Sequence, residues 1–226
     1  MAEPSVPQLE SDTPAKQPAL VEMLGGRQGV IDSVIPVTVF VAVNAATRDV
    51  TTSALAAVGS SLVLVVVRLL RHEPLKHVFS GVLGVGISAI IAIRMGSAKG
   101  FFLPGIVSNA VYLALFVGSV LLRKPIVGFL IRQISDKPAA WHDNPRVRRA
   151  YAEATLGWAG VFATRVLVVG YFALQDKTLS AGISKILLGP VLYVIALLAT
   201  MPYIKWRTRG LEPAALAPVV EDETLV

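Results

Sequence analysis

The chain has 226 residues, 54% of them hydrophobic and only 16% charged, with a formal net charge of +6 and a mean hydropathy of +0.65. That combination excludes an ordinary water-soluble domain. The lack of cysteine excludes disulfides, thiolate metal sites and thiol redox chemistry.

Residues 1–23 carry Pro4, Pro7, Pro14 and Pro18 among acids and small polar groups, a composition that predicts a disordered tail. They lack a basic start followed by an apolar run, so they do not read as a cleavable signal. Residues 24–209 form the membrane domain, and residues 210–226 a second disordered, acidic tail. The two tails hold eight of the fifteen acids and a single base, leaving the body with 20 basic against 7 acidic residues.

Six apolar stretches run from Ile31 to Asn44, Val50 to Val67, Val78 to Ile93, Phe101 to Leu122, Ala154 to Leu174 and Ile186 to Ile204. A helical span needs about 20 apolar residues, so the fourth and sixth are ample and the first and third short. With the N-terminus inside, fifteen basic residues fall on cytoplasmic segments and five outside: Arg48, Arg94, Lys99, Lys177 and Lys185. The asymmetry predicts a cytoplasmic (inner) cell-membrane protein with both termini cytoplasmic and anionic lipid against its inner face. Nucleic acid is not an expected partner, since no basic run is interleaved with aromatics. The expected fold is all-α, a polytopic bundle of six transmembrane helices. Between spans four and five, Pro125 to Ile134 is apolar but too short to cross, which predicts an interfacial helix anchored by Arg123, Lys124 and Arg132. Trp141 and the cluster Arg146, Arg148 and Arg149 are placed at headgroup depth before span five.

Small residues mark helix seams: Gly81, Gly84 and Ser88 on span three, and Thr155, Ala159 and Ala163 on span five. The string Gly26-Arg27-Gln28-Gly29 with Pro36 and Asn44 is echoed by Gly96 to Gly100 with Pro104 and Asn109. That is the pattern of a three-plus-three inverted repeat. An alternative echo, Leu69-Leu70-Arg71 with Leu121-Leu122-Arg123, would instead repeat a two-helix unit.

Arg165 interrupts the apolar run of span five near its middle. A central Arg costs about 2.5 to 3.5 kcal/mol, so it must face the bundle or a wet cavity. The acids Asp32, Asp49, Glu153 and Asp176 all lie towards span ends. Asn109 and Asn44 are the polar side chains offered by spans four and one, while Pro36 and Pro104 free the carbonyls of Asp32 and Gly100. These groups form either a structural network around the guanidinium or a midplane site for a small anionic or polar solute. Asp32 at the start of span one suits the helix dipole as well as a proton- or cation-binding role. His-Glu-x-x-His, Gly-x-Ser-x-Gly and phosphate-loop motifs are lacking, so no enzyme, cofactor or metal is expected.

Three motifs carry a resemblance. They are Gly25-Gly26-Arg27-x-Gly29-x-x-Asp32-x-x-x-Pro36-x-x-x-Phe40-x-x-x-Asn44, Phe101-Phe102-Leu103-Pro104-Gly105-Ile106-x-x-Asn109, and Ala154-Thr155-x-x-Trp158-x-x-x-Phe162-x-x-Arg165. Together they resemble an uncharacterised actinobacterial family of six-span membrane proteins, with a looser, compositional similarity to intracellular-septation-type membrane proteins. The resemblance implies a membrane location and an all-helical fold but no activity. Transport of a small solute or ion, and a structural or regulatory role in the cell envelope or division apparatus, are the two functions left open.

Overall fold

The structure, a computed structural model, describes residues 26–71, 76–134 and 144–209, with the side chains of 26–32, 76–80 and 132–134 outside that set. The expected disordered tails, Trp141 and the side chains of Asp32 and Arg132 lie outside the described residues. Every described element is helical. In chain order these are α1 (Gly26–Thr47), α2 (Val50–Leu70), α3 (Lys76–Met95), α4 (Lys99–Leu121), α5 (Ile126–Ile134), α6 (Pro145–Leu174), α7 (Thr178–Ile186) and α8 (Leu192–Arg207). A π-helical turn, Leu187–Val191, makes α7 and α8 one continuous segment. Four segments are long and apolar enough to cross a membrane: α2, α4, α6 and the α7–α8 unit. The apolar parts of α1 and α3, Ser33–Thr47 and Gly81–Met95, are shorter.

The distribution of side chains is that of a protein whose solvent is apolar. The exposed face of α2 presents Leu55, Leu62, Val63 and Val66, while Ser53, Ala54, Ala57 and Ser61 are buried. Without a hydrophobic driving force in lipid, helices associate through close packing of small residues, and buried hydroxyls satisfy themselves on their own helix. Accordingly Ser53 donates to the Asp49 carbonyl at 2.6 Å and Ser61 to that of Ala57 at 3.0 Å. Of the seam expected at Gly81, Gly84 and Ser88, only Ser88 is buried. Both glycines are exposed with open space beside them, and the buried residues of α3 are Ser88, Ala89 and Ala92. On α6 the expected Thr155 and Ala159 are buried, while Ala163 is half-buried. Contact is closest at Gly100, where a Cβ would stand 2.7 Å from Ala92 Cα, and at Gly182, where it would overlap the Val41 side chain.

The turns are tight because helix ends close on themselves. At Gly96, Arg123 and Asp176 the backbone is left-handed, with φ of 58°, 58° and 54°. The following N–H in each case bonds five residues back: Ser97 to Ala92, Lys124 to Ser119, and Lys177 to Phe172. This is the Schellman closure of a helix C-terminus. Asp49 caps α2 from the other side of the Arg48–Asp49 turn, its carboxylate accepting from the N–H groups of Thr51 and Thr52.

Two cores result. Phe40 and Phe101 stack at 3.9 Å with Phe102 edge-on at about 6 Å, joining α1 to α4. The second core gathers Val127, Val147, Tyr151, Ala154 and Ile204. There the Thr155 hydroxyl accepts from Val127 N at 3.3 Å and donates to the Tyr151 carbonyl at 2.7 Å, docking α5 on α6. Val127 and Gly128 are buried there, while Phe129 and Leu130 are exposed, so the short segment packs on α6 and leaves apolar side chains uncovered.

Candidate functional site

Arg165 lies nine residues before the C-terminus of α6, about 13 Å in at 1.5 Å per residue. At that level it meets three other elements. Its guanidinium carbon stands 4.7 Å from the centroid of the Tyr193 ring on α8. The Tyr193 hydroxyl donates to Asn109 Oδ1 on α4 at 3.4 Å, and the Asn109 amide donates to the Gly105 carbonyl at 2.6 Å. Arg165 Nε is buried without a hydrogen-bond partner. No hydrogen bond joins the guanidinium to the Gly100 carbonyl that Pro104 was expected to free; an aromatic face takes that place.

The second cation of the site is Lys185. Sequence reasoning placed it in an outer loop, but it belongs to the last turn of α7, where α7 turns inward against α1 and α6. Its Nζ lies 5.3 Å from the Phe101 ring centroid and 5.6 Å from that of Phe102. Arg165, Lys185, Asn109, Phe102, Gly105 and Val169 border a cavity of about 10 Å³. No carboxylate borders it among the described residues. The described acids are engaged elsewhere or sit at helix ends: Asp49 caps α2, Asp176 occupies the turn after α6, and Glu153 takes Arg207 through both oxygens at 2.6 and 2.7 Å.

The π-turn gives the site its shape. Pro190 has no N–H to donate, so a regular α-helix would break there; widening the turn instead lets α7 run into α8. Gly189 in that turn faces the guanidinium, and a Cβ there would sit 4.0 Å from Arg165 Nη2.

Of the residues singled out in the sequence, the structure brings Asn109 and Arg165 together and leaves Asn44 apart. Asn44 does not line the cavity, because it lies three residues from the C-terminal end of α1, too shallow by about two turns. Pro36 is fully buried in the packing of α1. Pro104 lies one residue before the cavity-lining Gly105 and is only half-buried. The Asp32 side chain is outside the described residues. Tyr193 and Lys185 were missed; the signal for Lys185 was its flanking by apolar residues on both sides, Ile183 before it and Ile186 to Leu188 after it.

A separate groove of about 300 Å³ opens between α6 and α8, lined by Gly157, Val161, Ile195 and Ala199. The end nearest the N-terminus of α6 is closed by the Glu153 carboxylate, which accepts from the Tyr203 hydroxyl at 2.8 Å. Most of the groove is apolar; its polar lining, Glu153, Tyr203, Trp158 and Thr200, is already paired, Tyr203 with Glu153 and Trp158 with Thr200.

The chain belongs to the DUF3159 family of proteins of unknown function, whose model matches residues 24–210. No curated protein and no solved structure matches it.

Proposed function

We propose that this protein is a multi-pass protein of the cytoplasmic membrane, with six spans and both termini inside, that passes a small monovalent anion through the centre formed by Arg165 and Lys185. The observation that supports this reading is the pairing of two basic side chains on one cavity in an apolar bundle without a carboxylate beside them. Like charges in a low-dielectric interior repel strongly. An anion held between them removes that repulsion, and the Asn109 amide and Tyr193 hydroxyl supply neutral polar neighbours. The cavity of about 10 Å³ has room for one water-sized particle. A metabolite does not fit that space, whereas a halide, somewhat larger than a water, needs only a small outward shift of the lining side chains, which narrows the solute expected from the sequence.

The test is thermal unfolding of the purified protein in detergent, with chloride replaced by gluconate at constant ionic strength, followed by anion flux in proteoliposomes. Chloride should stabilise the wild type, and Lys185→Met should abolish the effect. Arg165→Lys should weaken it, because an ammonium does not reproduce the guanidinium fork.

The second reading is a structural or regulatory membrane protein of the envelope or division apparatus, in which Arg165 only holds helices together. The small cavity and the guanidinium already stacked on Tyr193 favour it. No halide dependence in the wild type, together with a destabilised Arg165→Leu variant, would decide for this second reading.

A further inference from the structure

At the end of the bundle assigned to the cytoplasm, a cavity of about 420 Å³ opens between the C-terminus of α4 and the N-terminus of α6. Its walls carry Arg123, Arg146, Arg148 and Arg149, and its floor includes Val120 and Pro125. No carboxylate lines it among the described residues.

Helix stability does not explain this clustering. Three of the four arginines occupy the first turns of α6, where the macrodipole disfavours cations, and no acid stands in the first turn to offset them. Capping does not need them either, since Asn144 already accepts from the N–H groups of Arg146 and Val147. Arg123 occupies a left-handed position, φ 58°, which a residue with a Cβ adopts only at a cost. Glu153, one turn beyond Arg149, places both carboxylate oxygens on Arg207 and meets Arg149 only through its charge. Four arginines thus border one space, a concentration of positive charge that an anion seated there would offset. Arginine in all four places favours phosphate, whose oxygens match the planar fork.

The surroundings distinguish a lipid from a dissolved phosphate. Leu121 and Leu122, next to Arg123, are 76% and 75% exposed, and Phe129 and Leu130 of α5 are also exposed. A phosphate in the cavity would thus have apolar surface beside it on which acyl chains could lie. We propose that this cavity binds an anionic glycerophospholipid through its headgroup, and that two phosphates in one headgroup, as in diphosphatidylglycerol, match the four arginines best. This site is independent of the Arg165–Lys185 centre, so either reading can fail alone.

The experiment uses full-length protein delipidated in detergent and measures thermal unfolding with added diphosphatidylglycerol, phosphatidylglycerol, phosphatidylcholine or free pyrophosphate. Diphosphatidylglycerol should raise Tm most, phosphatidylglycerol less, and phosphatidylcholine not at all. The variant Arg123→Gln/Arg146→Gln/Arg148→Gln/Arg149→Gln should lose most of the shift, whereas the outer-side control Arg94→Gln/Lys99→Gln should keep it. Should the fourfold variant fail to fold, Arg146→Gln/Arg149→Gln carries the same expectation, and native mass spectrometry should show it retaining fewer bound phospholipids than wild type. A shift that survives in the variants, or an equal shift with pyrophosphate, would overturn the proposal.

Discussion

Arg165 and Tyr193 face each other across the bundle, guanidinium over ring at 4.7 Å, and the same phenol reaches Asn109 through its hydroxyl. One side chain on α8 therefore links a cation on α6 to an amide on α4. A desolvated cation–π contact contributes about 2 kcal/mol, and a neutral hydrogen bond about 1 kcal/mol. Tyr193→Leu should accordingly destabilise by about 2 to 3 kcal/mol, while Tyr193→Phe, which keeps the ring, should cost about 1 kcal/mol or less. Denaturation in mixed micelles measures both. Equal losses would mean that the hydroxyl rather than the ring holds Arg165 in place.

The approach of α7 to α1 rests on Gly182, whose place leaves no room for a Cβ beside Val41. Overpacking of this kind costs about 1 to 3 kcal/mol. Gly182→Ala should be destabilising by that amount, and adding Val41→Ala should recover part of it, giving a coupling of about 0.5 kcal/mol or more. Gly100→Ala differs, because what its Cβ meets is the Ala92 backbone; no side-chain change relieves it, and no second-site truncation should rescue it. Strict additivity in the Gly182–Val41 cycle would show that the helices are not in contact there.

Asp49 lies outside the apolar spans, and its carboxylate is held below the ordinary value of 3.8 first by the Thr52 hydroxyl and then by the Thr52 and Thr51 N–H groups. A depressed folded-state pKa means that the unfolded chain binds the proton more tightly, so the contribution is present above the unfolded pKa and fades as pH falls through the folded one. The Tm deficit of Asp49→Ala relative to wild type should therefore be full at neutral pH and shrink below about pH 4. A deficit that is constant down to pH 3 would show that the charged cap contributes nothing to α2.

The helices were legible where apolar runs are unbroken, and each of the six stretches coincides with a helix or a helical segment. The last was read too short, from Ile186, because the preceding Thr178 to Lys185 is less apolar. The π-turn absorbs the proline and keeps the segment continuous from Thr178, which carries Lys185 inward. Arg165 and Asn109 stood out as polar residues inside apolar runs. Asn44 stood out equally and does not line the cavity, since composition shows that a residue is polar in a span but not how its depth and face match those of other helices. The positions of Arg146, Arg148 and Arg149 shift for a related reason. They were expected in a loop before span five, but Asn144 as cap and Pro145 in the first turn start α6 earlier, so these arginines stand on a rigid helix.

The orientation can be read directly, because the chain contains no cysteine and any thiol introduced is the only one. Ser97, in the α3–α4 turn, and Thr178, at the start of α7, should be outside; Ala152 of α6 and Thr208, just past α8, should lie towards the cytoplasm. Single cysteines at Ser97 and Thr178 should react with a membrane-impermeant maleimide on intact cells, and one at Thr208 only after lysis. Lys185→Cys is the discriminating case. As an outer-loop residue it would label as fast as Thr178→Cys. Seven residues into the segment and packed over Phe101 and Phe102, it should label at least roughly tenfold more slowly, the expected consequence of limited access for a bulky charged reagent. Labelling of Lys185→Cys at the Thr178→Cys rate would take Lys185 out of the bundle and leave Arg165 as a lone cation.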